Sequence, residues 1–72
     1  MNGTHYHHWV EWSDEDHAFI GYCPDLFIGG VCHGDAEVEV YARLVDHIQS
    51  ELADYRNRGA TLPPACVAPV GA

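Results

Sequence analysis

Six of the 72 residues are histidine and three are cysteine, the side chains from which metal sites and thiol chemistry are built. His5 and His7 stand two apart, a spacing that turns both imidazoles to one face of a strand. Two ligands do not complete a site. Cys23, Cys32 and His33 form a second set if the chain doubles back across residues 24–31, but their spacing lacks the two tight ligand pairs that mark zinc ribbons and fingers. The expectation is therefore no metal and no cofactor, with the thiols serving as small hydrophobes and the strand histidines exposed. An odd number of cysteines argues for reduced thiols instead of a disulfide framework.

The carboxylates Asp14, Glu15, Asp16, Asp25 and Asp35 are numerous enough for two-metal hydrolysis, which needs several acids converging on one pair of ions. Their positions disperse them. The first three share a solvated turn, Asp25 follows a proline at a strand end, and Asp35 suits a helix N-cap; only Glu11 projects from the middle of a strand. No set of nucleophile, base and orienting group can be identified; Cys23 and Cys32 near His33 come nearest. Gly29, Gly30 and Gly34 have no lysine after them and do not make a phosphate loop. No catalytic residue is expected.

Charge narrows the partners. Eleven acidic residues against three arginines and no lysine leave a formal charge of −8, which opposes binding to nucleic-acid phosphates or to an anionic membrane. No apolar run approaches the roughly 20 residues that a spanning helix requires. Met1 to His5 have neither the basic start nor the apolar stretch of a secretory signal, so a cytoplasmic location is expected. A chain this short buries only about 60% of its unfolded surface. One small core is available, and oligomerisation is a usual source of additional stability at this size.

The elements that position these residues follow from periodicity. Residues 5–12 alternate, with Tyr6, His8, Val10 and Trp12 on one face and His7, Trp9 and Glu11 on the other, which predicts a strand. The polar run Ser13-Asp14-Glu15-Asp16 turns it into a second strand over about 17–23. Pro24-Asp25 breaks that strand, and a third over about 27–33 is expected to bulge at Gly29-Gly30. A helix is predicted over about 36–58, capped by Asp35, with Glu37 and Glu39 in its first turn. Its apolar stripe reads Val38, Tyr41, Val45, Ile48, Leu52 and Tyr55, widened by Leu44. Glu39 with Arg43 and Asp54 with Arg58 are four apart, acid first, and Gly59 supplies the left-handed residue that ends helices. Residues 60–72 read as an extended tail, with room for a short edge strand over 66–70. The result is one α+β domain: an antiparallel three-stranded sheet, one long helix on one face, and a potential fourth strand.

One helix covers only one face of a sheet, yet Trp9 and Trp12 point to opposite faces of the first strand, and Phe19 opposes Ile20 and Tyr22 on the second. Another subunit or a partner protein is the expected cover.

The order of motifs carries a resemblance. Trp12-Ser13-Asp14-Glu15-Asp16-His17-Ala18-Phe19-Ile20-Gly21, then Pro24-Asp25-Leu26, then His33-Gly34-Asp35 before an amphipathic helix, resembles the HicB-like antitoxin family over roughly residues 6–64. The resemblance implies a partial ribonuclease-H-like β-β-β-α-β fold. It also implies a non-enzymatic role: neutralising a small basic HicA-type toxin that cleaves messenger RNA. Many members carry a C-terminal DNA-binding domain. Nothing after Ala65 has the pattern of one, so a single-domain form without direct nucleic-acid contact is expected. Phe27-Ile28-Gly29-Gly30 departs from the Pro-Gly-Cys-like sequence common after the Pro-Asp-Leu corner. Aromatic exposure and charge, not a family motif, nominate Trp9, Glu11, Trp12, Asp14, Glu15 and Asp16 as partner-binding residues. The alternative is a homo-oligomeric domain that holds a small ligand or metal at a subunit interface.

Overall fold

The computed structural model describes residues 4–66. Three strands, β1 (Trp9–Ser13), β2 (Ala18–Tyr22) and β3 (Gly30–Gly34), precede one helix, α1 (Glu37–Arg58). The sheet is antiparallel in the order β1-β2-β3, and α1 packs across one face, giving the α+β architecture that the periodicity predicts. Of the tail segment 66–70, Cys66 is not in a strand and the rest lies outside the described residues.

β1 begins four residues later than the alternation suggests. Its first partner, Trp9 to Tyr22, is also the last that β2 can offer, because β2 ends there and Pro24 carries no N–H for a ladder. Without a strand to pair with, the segment before β1 is held by side chains. Tyr6 is buried and donates its hydroxyl to the Pro63 carbonyl. His8 bonds the Tyr6 carbonyl through Nδ1 at 2.8 Å and the Tyr41 hydroxyl through Nε2 at 3.1 Å.

β3 likewise starts late. The Cys23 carbonyl accepts from both Leu26 N (3.1 Å) and Phe27 N (2.9 Å), which curls the Pro24-Asp25-Leu26 corner into a turn and sends Leu26 and Phe27 into the core. Gly29 follows at φ 74°, a conformation that favours glycine. A bulge is present, but at Val31 and not at Gly29-Gly30: Gly21 faces Cys32 while Tyr22 faces Gly30, leaving Val31 as the extra residue. In the β1–β2 turn, His17 takes φ 50°, the left-handed region that histidine tolerates better than branched residues do.

The helix buries Leu44 and Ile48 of the expected stripe and packs Leu52 against the core, but its first turn departs from expectation. Val40, Leu44 and Ile48 are fully buried, whereas Val38 is 81% and Tyr41 45% exposed. Glycines on the sheet set this rotation. A Cβ at Gly21 would stand 3.3 Å from Leu44 Cβ, and one at Gly34 would stand 3.1 Å from Val40 Cγ2, so the two bare positions are the seats for these side chains. Tyr6, Cys23, Leu44 and Ile48 form the centre, with Val10, Cys32 and Leu52 packed around them.

Two expectations about the helix ends divide. Gly59 does close the C-terminus at φ 65°, and Arg58 Nε meets Asp54 Oδ2 at 2.9 Å. At the N-terminus, however, Asp35 is not the cap. Ala36 occupies that position in an extended conformation with no side-chain cap bond, its carbonyl accepting from Val40 N at 3.0 Å. Nor does Arg43 pair with Glu39. Its Nη2 reaches the His33 carbonyl at 2.9 Å and passes where a Gly34 side chain would be, which covers part of the outer edge of β3.

Candidate functional site

Strand alternation gives the two sheet faces opposite chemistry. Val10, Gly21 and Cys32 face the helix, the last donating its thiol to the Val40 carbonyl at 3.5 Å. The neighbours Trp9, Glu11, Ile20, Tyr22 and His33 therefore stand on the face that α1 does not cover. There, three rings form a ladder: His7 lies 5.0 Å from Trp9 and Trp9 lies 5.3 Å from Tyr22, each pair inclined by 26°. Trp9 Nε1 donates to Glu11 Oε1 at 2.7 Å, which holds the carboxylate beside the indole.

The ladder stops at Tyr22 for a reason of register. The cross-strand neighbour of Tyr22 on β3 is Gly30, so Trp9 meets the ring from β1 and no side chain continues the ladder at that position on β3. A groove of about 230 Å³ opens there along β2 and β3, walled by Tyr22, Ile20, Val31 and His33, with Asp16 at its far end. The Ile20 side chain leans over Gly30, where a Cβ would meet its Cγ2 at 2.9 Å, and so forms part of the groove wall. Asp16 is itself oriented by the turn: Ser13 Oγ donates to its Oδ2 and accepts from its backbone N, both at 3.2 Å.

The six residues nominated from sequence do not form one patch. Trp9, Glu11 and Asp16 belong to the uncovered face. Trp12 is on the helix side, 47% exposed, in edge-to-face contact with Phe19 at 5.1 Å, and its Nε1 donates to Asp14 Oδ1 at 2.8 Å. Asp14 and Glu15 are exposed in the turn between the faces. Tyr22, Ile20, Gly30 and His33 escaped the nomination. The alternation of β2 signalled the first two, whereas Gly30 and His33 join them only through the β2–β3 register.

Cys23, Cys32 and His33 do not converge either. Cys23 is wholly buried, Cys32 turns toward the helix, and His33 projects to the other side. Burial pushes both thiols above the usual cysteine range; a backbone hydrogen bond from Leu26 partly offsets it at Cys23, as Arg43 does at Cys32. Burial likewise raises the Tyr6 hydroxyl. Among the described residues no group of three or more His, Cys, Asp or Glu side chains is placed to hold a metal ion, and no helix is long and apolar enough to cross a membrane. His5 and His7 also lie ahead of β1 and so do not share the strand face expected of them.

A second groove, of about 450 Å³, runs between the start of β1 and the start of α1, lined by His8, Trp9, Val10, Glu37, Val38 and Tyr41. It accounts for the exposed Val38. Compared with known proteins, the chain matches no protein-family model, no curated protein and no solved structure.

Proposed function

We propose that this chain is a non-enzymatic, HicB-like protein-binding domain with a partial ribonuclease-H-like topology, acting as an antitoxin that occludes a basic, messenger-RNA-cleaving HicA-type toxin. The observation that carries this reading is an acidic β-β-β-α unit whose sheet is covered on one face only, with aromatic rings on the other. The motif order supports it as well. The acidic turn, the aromatic strand, the Pro-Asp-Leu corner and the Gly-Asp step fall at the β1–β2 turn, β2, the β2–β3 turn and the approach to α1. A chain of charge −8 is drawn to a cationic surface at long range, and exposed aromatics supply short-range contact once there. Purification of the tagged chain from its native cell at low salt should recover a small basic protein. Adding the chain back in equimolar amount should then stop that protein cleaving messenger RNA. Recovery of no basic protein, or of one whose ribonuclease activity the chain leaves untouched, rejects the proposal.

The homo-oligomeric alternative keeps one observation in its favour. β1 is an edge strand, and the 450 Å³ groove beside it carries the exposed Val38 and Tyr41, apolar surface that a second copy would cover.

A further inference from the structure

We propose that the uncovered sheet face is the docking surface, and that it takes an extended segment of the basic partner with an arginine stacked on Tyr22. This rests on the protein-binding reading above and specifies its contact. Three features select a guanidinium. First, Tyr22 lines the groove on the uncovered face and offers it an aromatic ring. Trp9 stacks on that ring and keeps it upright. A planar cation stacks on such a ring, which an ammonium does less well. Second, the face supplies carboxylates: Glu11 is held next to Trp9, and Asp16 closes the far end of the groove. Third, all three arginines of the chain belong to α1, where Arg58 meets Asp54 and Arg43 reaches the His33 carbonyl at the edge of β3, and none pairs with Glu11 or Asp16.

The groove also has a direction. It follows the strands from the Tyr22 ring toward Asp16, past Ile20 and His33. Tyr22 and Ala18 are four residues apart, about 13 Å along a strand, and Asp16 stands just beyond. An extended segment presents every second side chain to one face, so of two basic residues four apart, one would lie at Tyr22 and the other level with Ala18, from where a long side chain extends toward Asp16. Like charge decides against a second copy as occupant, because its own acidic turn would be brought to this acidic face.

The test uses the full 72-residue chain and two capped pentapeptides, Arg-Thr-Val-Thr-Arg and Lys-Thr-Val-Thr-Lys, in an NMR titration. The two indoles act as an internal comparison, since Trp9 is on the docking face and Trp12 on the helix side. The arginine peptide should move the Trp9 indole signal and the amides of Ile20, Gly30 and His33, leave the Trp12 indole in place, and bind at least fivefold tighter than the lysine peptide. Tyr22→Leu and Asp16→Asn should each weaken it at least threefold. Asp46→Asn, which removes the same charge from an exposed helix position, should change it less than twofold. Equal affinity for the two peptides, or equal losses from Asp16→Asn and Asp46→Asn, would reduce the effect to diffuse charge and overturn the proposal. So would concentration-dependent shifts of the same amides without peptide, which would assign the face to a second copy. Once a basic partner is in hand, undiminished binding by Tyr22→Leu and Asp16→Asn would reject this surface while leaving the antitoxin reading intact. Absence of any basic partner would reject that reading instead.

Discussion

Cys23, Cys32 and Cys66 descend from wholly buried to exposed, and their chemistry should follow that order. Thiolates are the reactive form, and burial both blocks a reagent and holds the first two thiols protonated. At pH 8, a mass-resolved alkylation series should therefore modify Cys66 first, Cys32 more slowly, and Cys23 only at the rate of unfolding. The same shifts link stability to pH. Cys23, Cys32 and Tyr6 each hold their proton more tightly in the folded chain than the ordinary values of 9.0 for the thiols and 10.0 for the phenol. Their contribution is complete below those values and is lost as pH rises through the higher folded ones. Urea midpoints should be flat from pH 7 to 8.5 and fall above about pH 9, with a shallower fall for Cys23→Ala measured against its own neutral value. A midpoint that rises with alkalinity would contradict the sign.

The helix offers sharper contrasts at the scale of one element. Asp35, one residue before the observed cap, should tolerate Asp35→Ala with a change within about 0.5 kcal/mol, as surface positions usually do. Ala36 occupies the cap without a side-chain acceptor, so Ala36→Ser should stabilise the protein by about 1 kcal/mol by offering an oxygen to the first-turn N–H groups. Leu44→Ala should cost about 3 kcal/mol, because the vacated seat above Gly21 becomes a cavity, while Val38→Ala should cost almost nothing. Thermal or urea unfolding of these four variants checks each value, and Val38→Ala tests whether Val38 belongs to the buried stripe as its spacing suggests. Gln49 is a separate opportunity: its Nε2 is buried without a hydrogen-bond partner, and Gln49→Leu should raise stability by about 1 kcal/mol.

For the whole molecule, net charge makes two kinds of association respond to salt in opposite ways. Copies that each carry −8 repel, so screening should strengthen self-association, whereas attraction to a basic partner should weaken as salt rises. Light scattering from 50 to 500 mM salt tests the first, expected to show a dimer gaining population over an 8.0 kDa monomer. Association kinetics with a recovered partner test the second, with the on-rate expected to fall. Much of this molecule was legible without coordinates. Alternation on β1 and β2, the proline after Cys23 and the glycine at 59 determined three strands, a helix and the split of Trp9 from Trp12, because local periodicity and turn chemistry act over a few residues. The late starts of β1 and β3 were hidden, since a strand needs a partner and the turns at 14–17 and 23–29 decide where partners run out. The start of the helix stripe was ambiguous for a related reason: Val38, Val40 and Tyr41 are all apolar, and only the bare position at Gly34 selects Val40 for burial. The groove beside Tyr22 was decided at the same level. The β2–β3 register brings Tyr22, Ile20 and His33 to one groove, and a register between distant strands is set by packing that no short stretch of sequence contains.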